Sequence, residues 1–86
     1  MHCERFGLEV YSTRHARERM VQRNIAEAEV LVLLEAGDAR RKDDLRLWIA
    51  KYFSGRTDNL LCLAVVLEDR LVVKTVMHHF SWEGER

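Results

Sequence analysis

The stretch "LLCLAVVLEDRLVVKTVMHH", Leu60 to His79, decides the fold. Two runs dense in valine and leucine flank the charged triplet "EDR". Such residues fill strands, and a polar break this short makes a tight turn, so the two runs form an antiparallel hairpin. Strict alternation in the second run places Val73, Thr75, Met77 and His79 on one face and Val72, Lys74, Val76 and His78 on the other. Thr75 and Lys74 are then polar groups in mid-strand that need partners, as core hydrogen-bonders or as site residues. The first run, "LLCLAVVL", is apolar on both faces. The sheet is therefore covered in part on its second side as well, and a homodimer partner is one candidate cover.

Working upstream, "RLWIAKYF" and "DARRKDD" also read as strands, and "SGRTDN" is a loop. Before Gly37 the period is helical. "NIAEAEVLVLLEAGD" reads as a helix with a capping-box-like start at Asn24 and Glu27 and a stop at Gly37. Its run Leu31–Leu34 leaves few polar sides, which makes it the more buried helix of a pair. The other helix lies in "YSTRHARERMVQRNI", capped by Ser12 or Thr13 and running to about Arg23. "LEVY" precedes it as an edge strand. The expected fold class is α+β, with two N-terminal helices on one face of an antiparallel sheet of about four strands.

The chain has 86 residues, enough for one domain over residues 1–86 with a thin core. It contains no proline and four glycines, so no linker or low-complexity segment divides it. Only the tail "SWEGER" looks frayed. Nothing spans a bilayer and "MHCERFGLEV" lacks the apolar segment of a signal peptide, which points to the cytoplasm and to reduced Cys3 and Cys62 without a disulfide. Cys62, inside an apolar run, reads as a small buried hydrophobe. The formal net charge is zero, so any anion site must be local.

The first helix concentrates arginine. Helical spacing puts His15, Arg19, Gln22 and Arg23 along one flank, next to an Ala16 and Met20 stripe that meets the core. A histidine at that border keeps a tunable pKa and still reaches a ligand. Arg14 and Arg17 read as a solvated face paired with Glu18. Arg19 and Arg23 read equally as solvated side chains or as anion contacts. His78 and His79, adjacent on a strand, point to opposite faces and cannot share one ion, and no Cys or acid completes a zinc site; neither metal nor cofactor is expected.

"YSTRHARERMVQRNIAEAEV", "LLEAGD" and "LLCLAVVLEDRLVVKTVMHH" together resemble domain-of-unknown-function family 4258, whose pattern runs Ser-x-x-His-Ala, Glu-Arg-Met, Arg-x-Ile, a Glu-Val helix and a last strand ending near Val-x-Thr. That family is similar in turn to the RelE, ParE and BrnT toxins and to the barnase-like and colicin-like ribonucleases. The resemblance implies a RelE-like fold, a toxin-like ribonuclease without a metal, an RNA substrate and an antitoxin-like protein partner. It casts His15, Arg19 and Thr75 as catalytic. RNA supplies its own nucleophile, the ribose 2′-hydroxyl, so a histidine, one or two cations and an orienting hydroxyl suffice. Arg23, Arg46, Trp48, Lys74 and His79 are the candidate substrate contacts; Trp48 shares a strand face with Arg46 and reads either as a base-stacking platform or as core. The other class of reading is a non-catalytic protein-binding module or a degenerate toxin relative.

Overall fold

The computed structural model describes residues 1–82. Its elements are β1 (His2–Cys3), β2 (Leu8–Ser12), α1 (Arg14–Gln22), α2 (Glu27–Ala36), β3 (Asp38–Arg41), β4 (Arg46–Lys51), β5 (Leu61–Leu67) and β6 (Leu71–Met77). The hairpin read at "EDR" is present, with β5 and β6 antiparallel and Leu67 opposite Leu71. Six strands form one sheet in the order β1-β2-β6-β5-β4-β3.

Two features of the sheet correct the expected four antiparallel strands. β2 is not at an edge: it lies between β1 and β6 and runs parallel to β6, Val10 opposite Leu71 and Ser12 opposite Val73. The two helices supply the long connection that a parallel neighbour needs, and β3 to β6 then return as a meander to close beside β2. β1 is a two-residue addition that periodicity cannot detect.

Both helices bury one stripe against the same side of the sheet. Ala16 and Met20 of α1 and Val30, Leu33 and Leu34 of α2 join Leu47, Ile49, Leu63, Val65, Val73 and Val76 in one cluster. Fully burying side chains of this kind contributes roughly 1.5–3 kcal/mol each. α2 is less enclosed than its apolar run suggested, since Val32 is 43% exposed. Its start also differs. Asn24 has φ +53° and closes α1, while Ala26 is the N-cap of α2 and the Glu29 carboxylate accepts its N–H at 2.8 Å. Cys3 belongs to the helix-side cluster and Cys62 faces the other side, so the sheet separates two free thiols. Burial pushes the Cys62 thiol up to about 12. No helix among the described residues is long and apolar enough to cross a membrane.

Candidate functional site

The site is set up by an irregularity in β6. Ala64 pairs with Thr75, but the next residue, Val65, pairs with Val73, so Lys74 is an extra residue bulged out of the ladder. The bulge resets the alternation. Val73 and Val76 both face the helices, while Val72, Thr75 and Met77 fall on the far side. The facing expected from strict alternation is thereby corrected for Val73 and Val76.

β2 ends at Ser12, so the second half of β6 has no strand on that side. α1 takes the vacated place. Thr13 N–H donates to Val73 O at 3.1 Å, Thr13 Oγ1 donates to Lys74 O at 3.1 Å, and Arg23 donates to Val76 O at 2.7 Å. An open edge is thus capped by a helix. Thr13 is also the N-cap, its Oγ1 accepting from Ala16 N–H. This placement carries His15 to the rim of the far face, where its Nε2 lies 3.2 Å from Thr75 Oγ1. His15 is exposed and Thr75 half-buried. Which atom of the pair donates depends on the imidazole tautomer.

Thr75 lies at the end of a transverse row. Cross-strand partners run Thr75, Ala64, Trp48, Arg40 over β6, β5, β4 and β3. Ala64, small among larger neighbours, leaves a groove of about 310 Å³ whose lining includes Lys42, Arg46, Trp48, Lys74 and Thr75. Lys42 and Lys74 have no carboxylate partner among the described residues. Arg46 does: Asp43 Oδ2 accepts from its Nε at 2.7 Å, and Asp43 Oδ1 also accepts the N–H groups of Leu45 and Arg46. The hydrogen-bonded Arg46 guanidinium holds the Asp43 carboxyl down to about 2, so this ion pair persists throughout the neutral range.

The far face is partly covered from within the chain. Phe80 packs edge-on to Trp48 with centroids 5.4 Å apart, Trp82 edge-on to Phe80 at 5.0 Å, and Arg40 lies 4.1 Å over Trp82. Trp82, in the tail expected to fray, therefore continues this packing, while Ser81 is exposed; residues 83–86 lie outside the described part.

The arginines of the first helix and its flanks all have partners in the chain. Arg14 pairs with Glu18 at 3.2 Å, Arg17 donates to Ser12 O, Arg19 to Gln22 Oε1 at 2.9 Å, and Arg23 to Val76 O. The structure thus brings Thr75, Lys74, Arg46 and Trp48 to one groove with His15 at its end, while Arg19 and Arg23 bond elsewhere. His79 also lies apart. It follows the end of β6 at φ +52°, donates its backbone N–H to Asp58 O, and its ring sits 4.7 Å from that of His78. The two histidines are therefore not on opposite faces of a strand, as alternation had placed them. No group of three or more His, Cys, Asp or Glu side chains among the described residues is placed to hold a metal ion.

Residues 12–78 match the model of a family described as a domain of unknown function, DUF4258. The chain belongs to this family. The DUF4258 segment takes in Thr13, His15, the β6 bulge and the whole lining of the groove; β1, most of β2 and the Phe80–Trp82 aromatics lie outside it. No curated protein and no solved structure matches the chain. Sequence reasoning missed Lys42, Arg40, Ala64 and Trp82. The usable signal for Arg40 was the turn at Lys42–Leu45, which sets Arg40 opposite Trp48.

Proposed function

We propose that the domain is a metal-independent, toxin-like ribonuclease of RelE-like kind that cleaves RNA through the ribose 2′-hydroxyl. The observation that carries the reading is the His15–Thr75 pair, 3.2 Å apart, at the end of an open groove beside two lysines without carboxylate partners among the described residues. Histidine is the side chain best matched to proton transfer near neutral pH.

In this reading Thr75 Oγ1 orients the imidazole through Nε2, and Nδ1, without a partner among the described residues, faces substrate. His15 accepts the 2′-hydroxyl proton as the 2′-oxygen bonds to phosphorus. The bond from phosphorus to the 5′-oxygen breaks, water protonates that oxygen, and the products are a 2′,3′-cyclic phosphate and a 5′-hydroxyl. Lys74 and Lys42 stabilise the charge that grows on the phosphoryl oxygens. Among the described residues the Arg19 guanidinium is held by one hydrogen bond, to Gln22, which a phosphate can replace. An antitoxin-like protein would act by covering the groove.

The test is cleavage of total RNA in excess chelator by the wild-type chain and by His15→Ala and Thr75→Val, each checked for unchanged unfolding temperature. His15→Ala is expected to lose on the order of a hundredfold in rate, and wild-type products to end in cyclic phosphate. Equal rates in wild type and His15→Ala, or no cleavage by any of them, overturn the assignment. A non-catalytic protein-binding module rests on another surface, the outward side of α1, where Val21 is 83% exposed among Arg14, Arg17 and Glu18.

A further inference from the structure

We infer that the pocket between Trp48 and Trp82 is a stacking subsite for one unpaired base of a single-stranded RNA whose backbone crosses toward His15. The pocket, of about 270 Å³, is lined by Arg40, Arg41, Lys42, Trp48 and Trp82 and adjoins the groove through the shared Lys42 and Trp48. Two large aromatics, both only half-buried, stand at a place where the sheet row already leads to the His15–Thr75 pair. Strands lie about 4.8 Å apart, so Trp48 is about 10 Å and Arg40 about 14 Å from Thr75 across the row, a span that a short length of single strand covers.

Charge selects the ligand. Three consecutive cations, Arg40, Arg41 and Lys42, rim an aromatic pocket. Asp38 pairs with Arg40 at 3.0 Å and Arg41 Nη1 donates to Asp44 O, while Lys42 has no carboxylate partner among the described residues. A flat π-face next to anion-seeking groups fits a base with its phosphate better than an apolar peptide, and every base has a π-face to offer. Small Ala64 keeps the floor open between the two ends. The subsite deepens the ribonuclease reading and rests on it for RNA as the ligand, though not for cleavage.

The chain has two tryptophans and both line this pocket, so intrinsic fluorescence reports on it directly. An unmodified adenosine tetraribonucleotide is titrated into the His15→Gln variant, in which binding is read whether or not the wild-type chain cleaves. Expected is quenching of both tryptophans, seen separately in Trp48→Phe and Trp82→Phe. Affinity should fall roughly tenfold or more in Trp82→Ala, and also in Ala64→Phe, which fills the groove without touching charge. The DNA tetramer and free AMP should bind more weakly than the RNA. Absence of quenching, undiminished affinity in both Trp82→Ala and Ala64→Phe, or DNA or AMP binding as tightly as the RNA, each overturns the subsite. Absence of cleavage by the wild-type chain, with quenching intact, would overturn the ribonuclease reading alone.

Discussion

At Arg56, one guanidinium joins the end of α1 to the start of α2. Its Nη2 donates to Arg23 O at 2.9 Å and its Nη1 to Asn24 O at 3.1 Å, satisfying carbonyls where α1 stops. Nη1 also reaches Glu29 at 3.2 Å, and Nε meets Asp58 at 2.9 Å. The side chain is 17% exposed, so removing it strands two carboxylates and two carbonyls in a partly dry place. Arg56→Ala should cost about 2–4 kcal/mol in chemical denaturation, and Arg56→Lys should recover little, because an ammonium cannot reproduce the fork. Asp58 carries a linked acid response. The hydrogen-bonded Arg56 guanidinium lowers its carboxyl from 3.8 to about 2. Acid therefore protonates the unfolded form first, so this contribution is complete above about pH 4 and is lost as pH falls toward 2. An unfolding temperature that falls across this window in wild type, with a smaller fall in Asp58→Asn, is the expected result. Sequence showed only a loop at "SGRTDN", because long-range ion pairs leave no local period.

At the scale of elements, the legible parts were those with a strong local period and a punctuated end. The β5–β6 turn, an α1 cap at Ser12 or Thr13 and the stop of α2 at Gly37 all carry such signals, and each appears in the structure, with Thr13 as the cap. Facing in β6 was not legible, since one bulged residue inverts every later side chain and nothing in "VVKTV" marks it. His15 could be placed on a helix flank from spacing alone, but its approach to Thr75 depends on α1 replacing a strand along β6. Arg23 illustrates the same limit: its flank was correct, yet its guanidinium serves a strand carbonyl. Thr13 tests the arrangement, because one hydroxyl both caps α1 and holds the bulge. Thr13→Ala should destabilise by about 1–2 kcal/mol, and Thr13→Ser should restore most of it. Backbone amide exchange should quicken at Ala16 and Thr75 more than in β4. Uniform quickening through the sheet would mean that the hydroxyl does not anchor the bulge.

At the scale of the molecule, a chain with equal numbers of acidic and basic residues still presents a cationic strip, because the fold sorts charge by face. Arg40, Arg41, Lys42, Arg46 and Lys74 surround the groove and its neighbouring pocket, with Asp38 and Asp43 neutralising two of them. That leaves about three cations for phosphates: Lys42, Lys74 and Arg41. Each phosphate contact to a single strand contributes a salt slope of about −0.7, so binding of RNA should follow a total slope of about −2. Raising monovalent salt fourfold, from 50 to 200 mM, should then weaken the RNA tetramer by about twentyfold. Lys42→Gln should lower the slope by about 0.7 while leaving tryptophan quenching at saturation unchanged, since it removes a charge and not a stacking face. A slope near zero would mean that the strip does not meet phosphate at all. A slope much steeper than −2 would require the Asp38 and Asp43 pairs to open on binding, which Asp43→Asn would reveal by raising affinity at low salt.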